Sequence, residues 1–112
     1  MDKITEATDG CISFRQKSSD DEYHVSIIND GSGCHSALGY AKEHSEENYQ
    51  VLNLDIDGCF TSLEGETPIW GTAAHELIHA IGFFHEQART DRDKNITVIW
   101  ENIQGKLCIC IL

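Results

Sequence analysis

Residues 75 to 86 read HELIHAIGFFHE, three histidines and two glutamates set among apolar side chains and a single glycine. On a helix, His75 and His79 stand one turn plus about 40° apart, so both imidazoles leave the same face about 6 Å apart along the axis. A zinc ion bonded at roughly 2.0 to 2.1 Å to each nitrogen spans that gap. Glu76 follows the first histidine directly, where its carboxylate reaches a water on such an ion without ligating the metal. These are the parts of a metal-activated hydrolytic site.

His85 requires a change of direction. A helix continued six residues beyond His79 would carry His85 about 120° off the shared face and away from the metal. Gly82 supplies the change: without a Cβ it accepts positive φ, ends the helix and lets the chain bring His85 back as a third ligand. Three nitrogens then leave one tetrahedral corner open, as a catalytic zinc site requires. The short pattern of two histidines and a glutamate would arise by accident in roughly three chains of this composition in a hundred, and the full pattern in roughly one in ten thousand. The plainer alternative is a helix that fills a core, with histidines satisfied by backbone carbonyls.

The elements that must position these residues can be read around them. Thr67 can cap a helix with its hydroxyl, Pro68 suits the first helical position, and Gly82 suits the left-handed residue after the last. Ile69, Ala73, Leu77, Ile78 and Ile81 recur between them at helical spacing, which predicts a helix over residues 68 to 81. Upstream, Ile12 to Phe14 and Tyr23 to Ile28 are short runs of β-formers on either side of the polar stretch from Lys17 to Glu22, which reads as strand, turn, strand. Asn29-Asp30-Gly31-Ser32-Gly33 stops the second run with residues that favour tight turns. After an acidic loop from Glu43 to Asn48, the run Gln50 to Ile56 alternates as a half-buried strand does. Strands first and a helix behind them predict an α+β domain.

Composition narrows the partners. The chain has 112 residues, room for one small domain, and no internal repeat. Eight Lys and Arg against 19 Asp and Glu give a net charge of -11, the wrong sign for a nucleic-acid binder. The N-terminal MDKITEATDG has no apolar core of a signal peptide, and the apolar run LCICIL is far too short to insert across a membrane. Five cysteines suggest an oxidising compartment, and the odd number leaves at least one without a partner in the chain. Asn95-Ile96-Thr97 fits a glycosylation acceptor and agrees with secretion.

HELIHAIGFFHE followed by QARTDRD resembles the astacin branch of the metzincin zinc endopeptidases. The resemblance extends over residues 4 to 104: TDGCISF and GSGCHSALGY look like the segments before the active-site helix, and DRDKNITVIWENI like the strand and turn after the third ligand. It implies a zincin-like α+β fold, a mixed twisted sheet followed by the zinc-binding helix. It implies one catalytic Zn2+ held by His75, His79 and His85, with Glu76 as general base, and a polypeptide substrate. It implies a disulfide between Cys34 and Cys59 and a substrate strand added beside GCHSALGY by main-chain hydrogen bonds. Glu86 matches the residue that meets the new N-terminus of a processed astacin; read by itself it is a solvated charge. An extracellular setting follows from the same resemblance.

The departures concern the end of the sequence. In astacins the cysteine matched by Cys11 pairs with one near the end of the domain, beyond a methionine turn and a tyrosine that joins the zinc. None of these follows Gln104, the only methionine is Met1, and the leading strand and first helix of the fold are absent. The expectation is a partial peptidase domain over residues 1 to 112 with a divergent tail from 105 to 112. Cys11 is then the odd cysteine, and Cys108 and Cys110 are its candidate partners. Two functional readings follow: a zinc endopeptidase, and a zinc-binding fragment or decoy module with impaired proteolysis.

Overall fold

A computed structural model describes residues 1–42, 47–60 and 70–103. A short N-terminal helix α1 (Asp2–Ala7) precedes strand β1 (His24–Ile28), strand β2 (Cys34–Ser36), strand β3 (Tyr49–Leu54), a single helical turn α2 (Ile56–Cys59) and helix α3 (Gly71–Ile81). Three 3-10 turns follow, at Glu86–Ala88, Arg92–Lys94 and Trp100–Asn102. The fold is the zincin-like α+β arrangement of a mixed sheet followed by a helix.

The strands order as β1-β3-β2. β1 runs parallel to β3, from His24 beside Tyr49 to Ile28 beside Asn53, and β2 runs antiparallel, with Cys34 beside Leu54 and Ser36 beside Leu52. α3 lies against β2 and β3. Leu52, at 0% exposure, and Leu77, at 8%, are buried hydrophobic residues of β3 and α3. Cys59 completes this small core and joins Cys34 in a disulfide, with Cα atoms 5.7 Å apart.

Asn53 breaks the alternation of β3. Leu52 and Asn53 are consecutive and both fully buried, which a half-exposed strand would not allow. The turn from residue 29 to 33 covers the second of them. Asn53 Nδ2 lies 2.7 Å from Asp30 Oδ1, 3.0 Å from Ser32 Oγ and 2.7 Å from the Gly33 carbonyl, while its Oδ1 accepts from the Asp30 amide at 3.2 Å. Donors from the Ser32 hydroxyl, the Ser32 amide and Asn53 hold the Asp30 carboxyl below its usual range. One amide side chain of the central strand thus holds the turn that joins β1 to β2. Asn53→Ala is expected to lower the unfolding free energy by about 2 to 3 kcal/mol, because it leaves buried groups of the turn without partners. An unchanged urea midpoint in that variant would show the turn to be held by other contacts.

Several expectations need correction. Ile12 to Phe14 forms no strand; among the described residues nothing pairs with it, and β-propensity without a partner strand does not make a ladder. Ile56 does not continue β3 but opens α2 and is 65% exposed, because Asp55 caps that turn by accepting from the Asp57 amide. The DRDKNITVIWENI segment forms 3-10 turns, and no strand appears among its described residues. Helix α3 starts at Gly71 behind Trp70, without a side-chain cap, whereas the expected Thr67 cap, Pro68 and Ile69 lie outside the described residues. Part of the acidic loop and Cys108 and Cys110 lie outside them too. α1, which has no buried residue, is an element the residue pattern does not predict.

Candidate metal centre

α3 buries one side and leaves the other open. Leu77 and Glu76 point inward, Glu76 with only 7% exposure, while Ile78, about 100° further round, stays 41% exposed. His75 and His79 occupy one face, with ring centroids 4.4 Å apart. The i, i+4 spacing achieves this without distorting the helix.

The helix stops where the sequence places a glycine. Gly82 has φ of +113°, a value open to a residue without a Cβ. The Gly82 amide donates to the His79 carbonyl at 2.8 Å and the Phe83 amide to the Ile78 carbonyl at 3.2 Å, the paired bonds of a Schellman termination. The chain then turns under the helix. His85 Nε2 comes to 3.2 Å from His75 Nε2 and 3.1 Å from His79 Nε2. The ligand-competent atoms of all three lie within 4.8 Å of one another.

Two features of these contacts fit a cation better than hydrogen bonds alone. A ring nitrogen carries either one proton or one lone pair, so His85 Nε2 cannot serve two neighbours at 3.1 and 3.2 Å with two good hydrogen bonds. Tetrahedral zinc bonded at 2.0 to 2.1 Å separates its ligand nitrogens by about 3.3 to 3.4 Å, close to the spacing found. His79 is also oriented by a second contact. Its Nδ1 lies 2.7 Å from the Phe83 carbonyl, which can only accept, so Nδ1 donates there and Nε2 is the nitrogen turned to the cluster. The donor set therefore fits zinc.

The remaining candidates fall outside the cluster. Glu86 is exposed and pairs with Arg89 at 3.3 Å, and Arg89 holds Asp91 at 2.9 Å as well. The Arg89 guanidinium draws the Asp91 carboxyl below its usual range, and Arg89 is itself raised, first by its hydrogen bond to Asp91. Glu86, Arg89, Arg92, Asn95 and Ile96 line a cavity of about 340 Å³ to which none of the three histidines contributes. Cys34 and Cys59 pin the start of β2 to the end of α2, and Cys11 is exposed with no disulfide partner among the described residues. Sequence reasoning missed the Phe83 carbonyl behind His79, since a backbone acceptor leaves no trace in residue type.

Comparison with known proteins gives the family. The model of the astacin peptidase family matches residues 1–108. Zinc metalloproteinase nas-15 of Caenorhabditis elegans is 41% identical over 99 residues, which cover 88% of this chain and 15% of that protein. Meprin A subunit beta of Rattus norvegicus is 36% identical over 93 residues, covering 83% of this chain and 11% of that protein. Among solved structures, high choriolytic enzyme 1, a hatching enzyme zinc-protease from Oryzias latipes, superposes with a TM-score of 0.63 at 31% identity. That match covers 98% of this chain and 48% of the fish protein. The chain thus spans less than a fifth of these two relatives and about half of the solved protein. With residues 1–108 of its 112 matched by the family model, the chain belongs to the astacin family of zinc metalloproteinases.

Proposed function

We propose that this chain binds one zinc ion through His75, His79 and His85 and hydrolyses peptide bonds in polypeptide substrates, with Glu76 as the general base. The observation that carries the reading is the convergence of three ring nitrogens at the spacing of a tetrahedral edge. When bound, zinc supplies Lewis acidity, bringing the pKa of water on it to about 7 and polarising a carbonyl. The three histidines would hold the ion through their ring nitrogens and leave one position for water and substrate. The Glu76 carboxylate takes the proton of the attacking water and passes it to the departing amine. Among the described residues β2 lies at the edge of the sheet, where an extended substrate can add by main-chain hydrogen bonds.

Residues 4 to 104 are the peptidase-like region in this reading, with a divergent tail from 105 to 112. The disulfide and the exposed Asn95 of its glycosylation triplet support an extracellular setting. No helix among the described residues is long and apolar enough to cross a membrane.

The test is casein cleavage by the zinc-loaded chain, with metal content measured on the same sample. Cleavage is expected to stop with a chelator and to fall about 10² to 10⁴-fold in Glu76→Gln, which keeps its zinc. One zinc without turnover selects the metal-holding decoy module instead. No zinc after dialysis rejects both.

A further inference from the structure

The loop leaving β2 reaches the end of α3 through two glycines. Gly39 has φ of +64° and Gly82 φ of +113°. A Cβ on Gly39 would lie 3.4 Å from the Gly82 Cα, and one on Gly82 would lie 3.7 Å from the Gly39 Cα, so two backbones meet with nothing between them. The Gly39 amide donates to the His79 carbonyl at 2.8 Å. That same carbonyl accepts from the Gly82 amide, also at 2.8 Å. One lone pair is thus used by the turn of α3 itself and the other by a loop that belongs to the sheet.

We propose that Gly39 is a positioning residue for the histidine cluster: its amide and its bare α-carbon lock the Gly82 turn to the sheet, and so fix His85 against His75 and His79. The inference rests on the zinc reading above. Its physical basis is tolerance. Bonds to zinc accept deviations of about 0.2 Å, whereas a terminal turn held only by its own helix frays. Gly82 is the pivot between the two ligands on α3 and the third, and the contact from Gly39 bears on that pivot. It also makes the β2 edge and the cluster a single unit, so that a strand bound along β2 would keep its register relative to the metal. A side chain at Gly39 would have to take positive φ while touching Gly82, which L-residues adopt only under strain.

The experiment uses the full chain and zinc alone, by competition with a chelator, with the absorption of the cobalt(II) form as a geometric readout. Gly39→Ala is expected to bind zinc about tenfold more weakly or worse and to lose the cobalt spectrum of the wild type, with its far-UV circular dichroism retained. Gly10→Ala is the control, because Gly10 has φ of +78° with nothing within 4 Å of a Cβ, and it is expected to bind as the wild type does. Wild-type affinity in Gly39→Ala, or an equal loss in Gly10→Ala, overturns the proposal. Where Gly39→Ala does not fold, amide exchange on the wild type decides. By linkage, zinc must then slow the Gly39 amide at least about tenfold, and an unchanged rate overturns the inference. Failure of the wild type to hold zinc at all is a separate result, and it removes the zinc reading together with the positioning role.

Discussion

His85→Ala is expected to bind zinc about a hundredfold more weakly than the wild type, or worse, while α3 keeps its helical signal. Loss of an outer-shell hydrogen bond already costs metal sites about 10 to 100-fold, and a lost ligand bond costs more. His75 and His79 alone form a two-nitrogen site on one helix face, with two positions left to water. The substitution also separates metal binding from folding. His85 lies beyond α3, which ends at Ile81, so its removal takes no hydrogen bond from the helix. His79→Ala is the informative companion, since it removes both a ligand and the Nδ1 contact with the Phe83 carbonyl that steadies the turn. Competition titration against a chelator reads both variants. Wild-type affinity in His85→Ala would mean that the three rings cluster without sharing a cation, and the hydrolase reading would end there.

That cluster is legible in the sequence because three independent signals agree on it. The four-residue spacing of His75 and His79 sets a common face, the glycine at 82 marks where the helix must end, and His85 follows at the distance a reversed chain needs. β1 is legible from Tyr23 to Ile28 for a similar reason: a β-branched run closed by a glycine-rich turn states both its type and its end. Ile12 to Phe14 carries the same residue types but is not a strand, since pairing is decided by a partner elsewhere in the chain and not by the run itself. Asn53 escapes notice because a polar residue in an alternating strand reads as solvent-facing, and only the turn folded over it buries it. The contact of Gly39 with His79 escapes for another reason: a backbone donor meeting a backbone acceptor selects only for the absence of a side chain. The disulfide comes through family resemblance, since cysteine spacing alone leaves many pairings open.

Removing that disulfide has the largest expected effect on stability. Cys34 and Cys59 are 25 residues apart, and a loop of that size adds about 3 to 4 kcal/mol by restricting the unfolded chain. A domain of this size is commonly stable by only about 5 to 15 kcal/mol. The double variant Cys34→Ala/Cys59→Ala is therefore expected to lose from about a fifth to about four fifths of its stability, read as a lower urea midpoint with an unchanged native helix signal. The effect is large here because the core cannot compensate. Cys59, 1% exposed, is itself one of the buried residues, so the substitution also removes packed sulfur from the interior. The loss should spread to the metal. β2 is three residues long and holds its place through β3, the disulfide and α3, and the loop leaving it reaches the His79 carbonyl through Gly39. Without the covalent link from residue 34 to residue 59, that edge is anchored less firmly, and zinc affinity is expected to fall together with the urea midpoint. A double variant with the wild-type midpoint would show that the sheet and α3 hold β2 without the covalent link. A lower midpoint with undiminished zinc affinity would show instead that the cluster is held from within α3 and its turn alone.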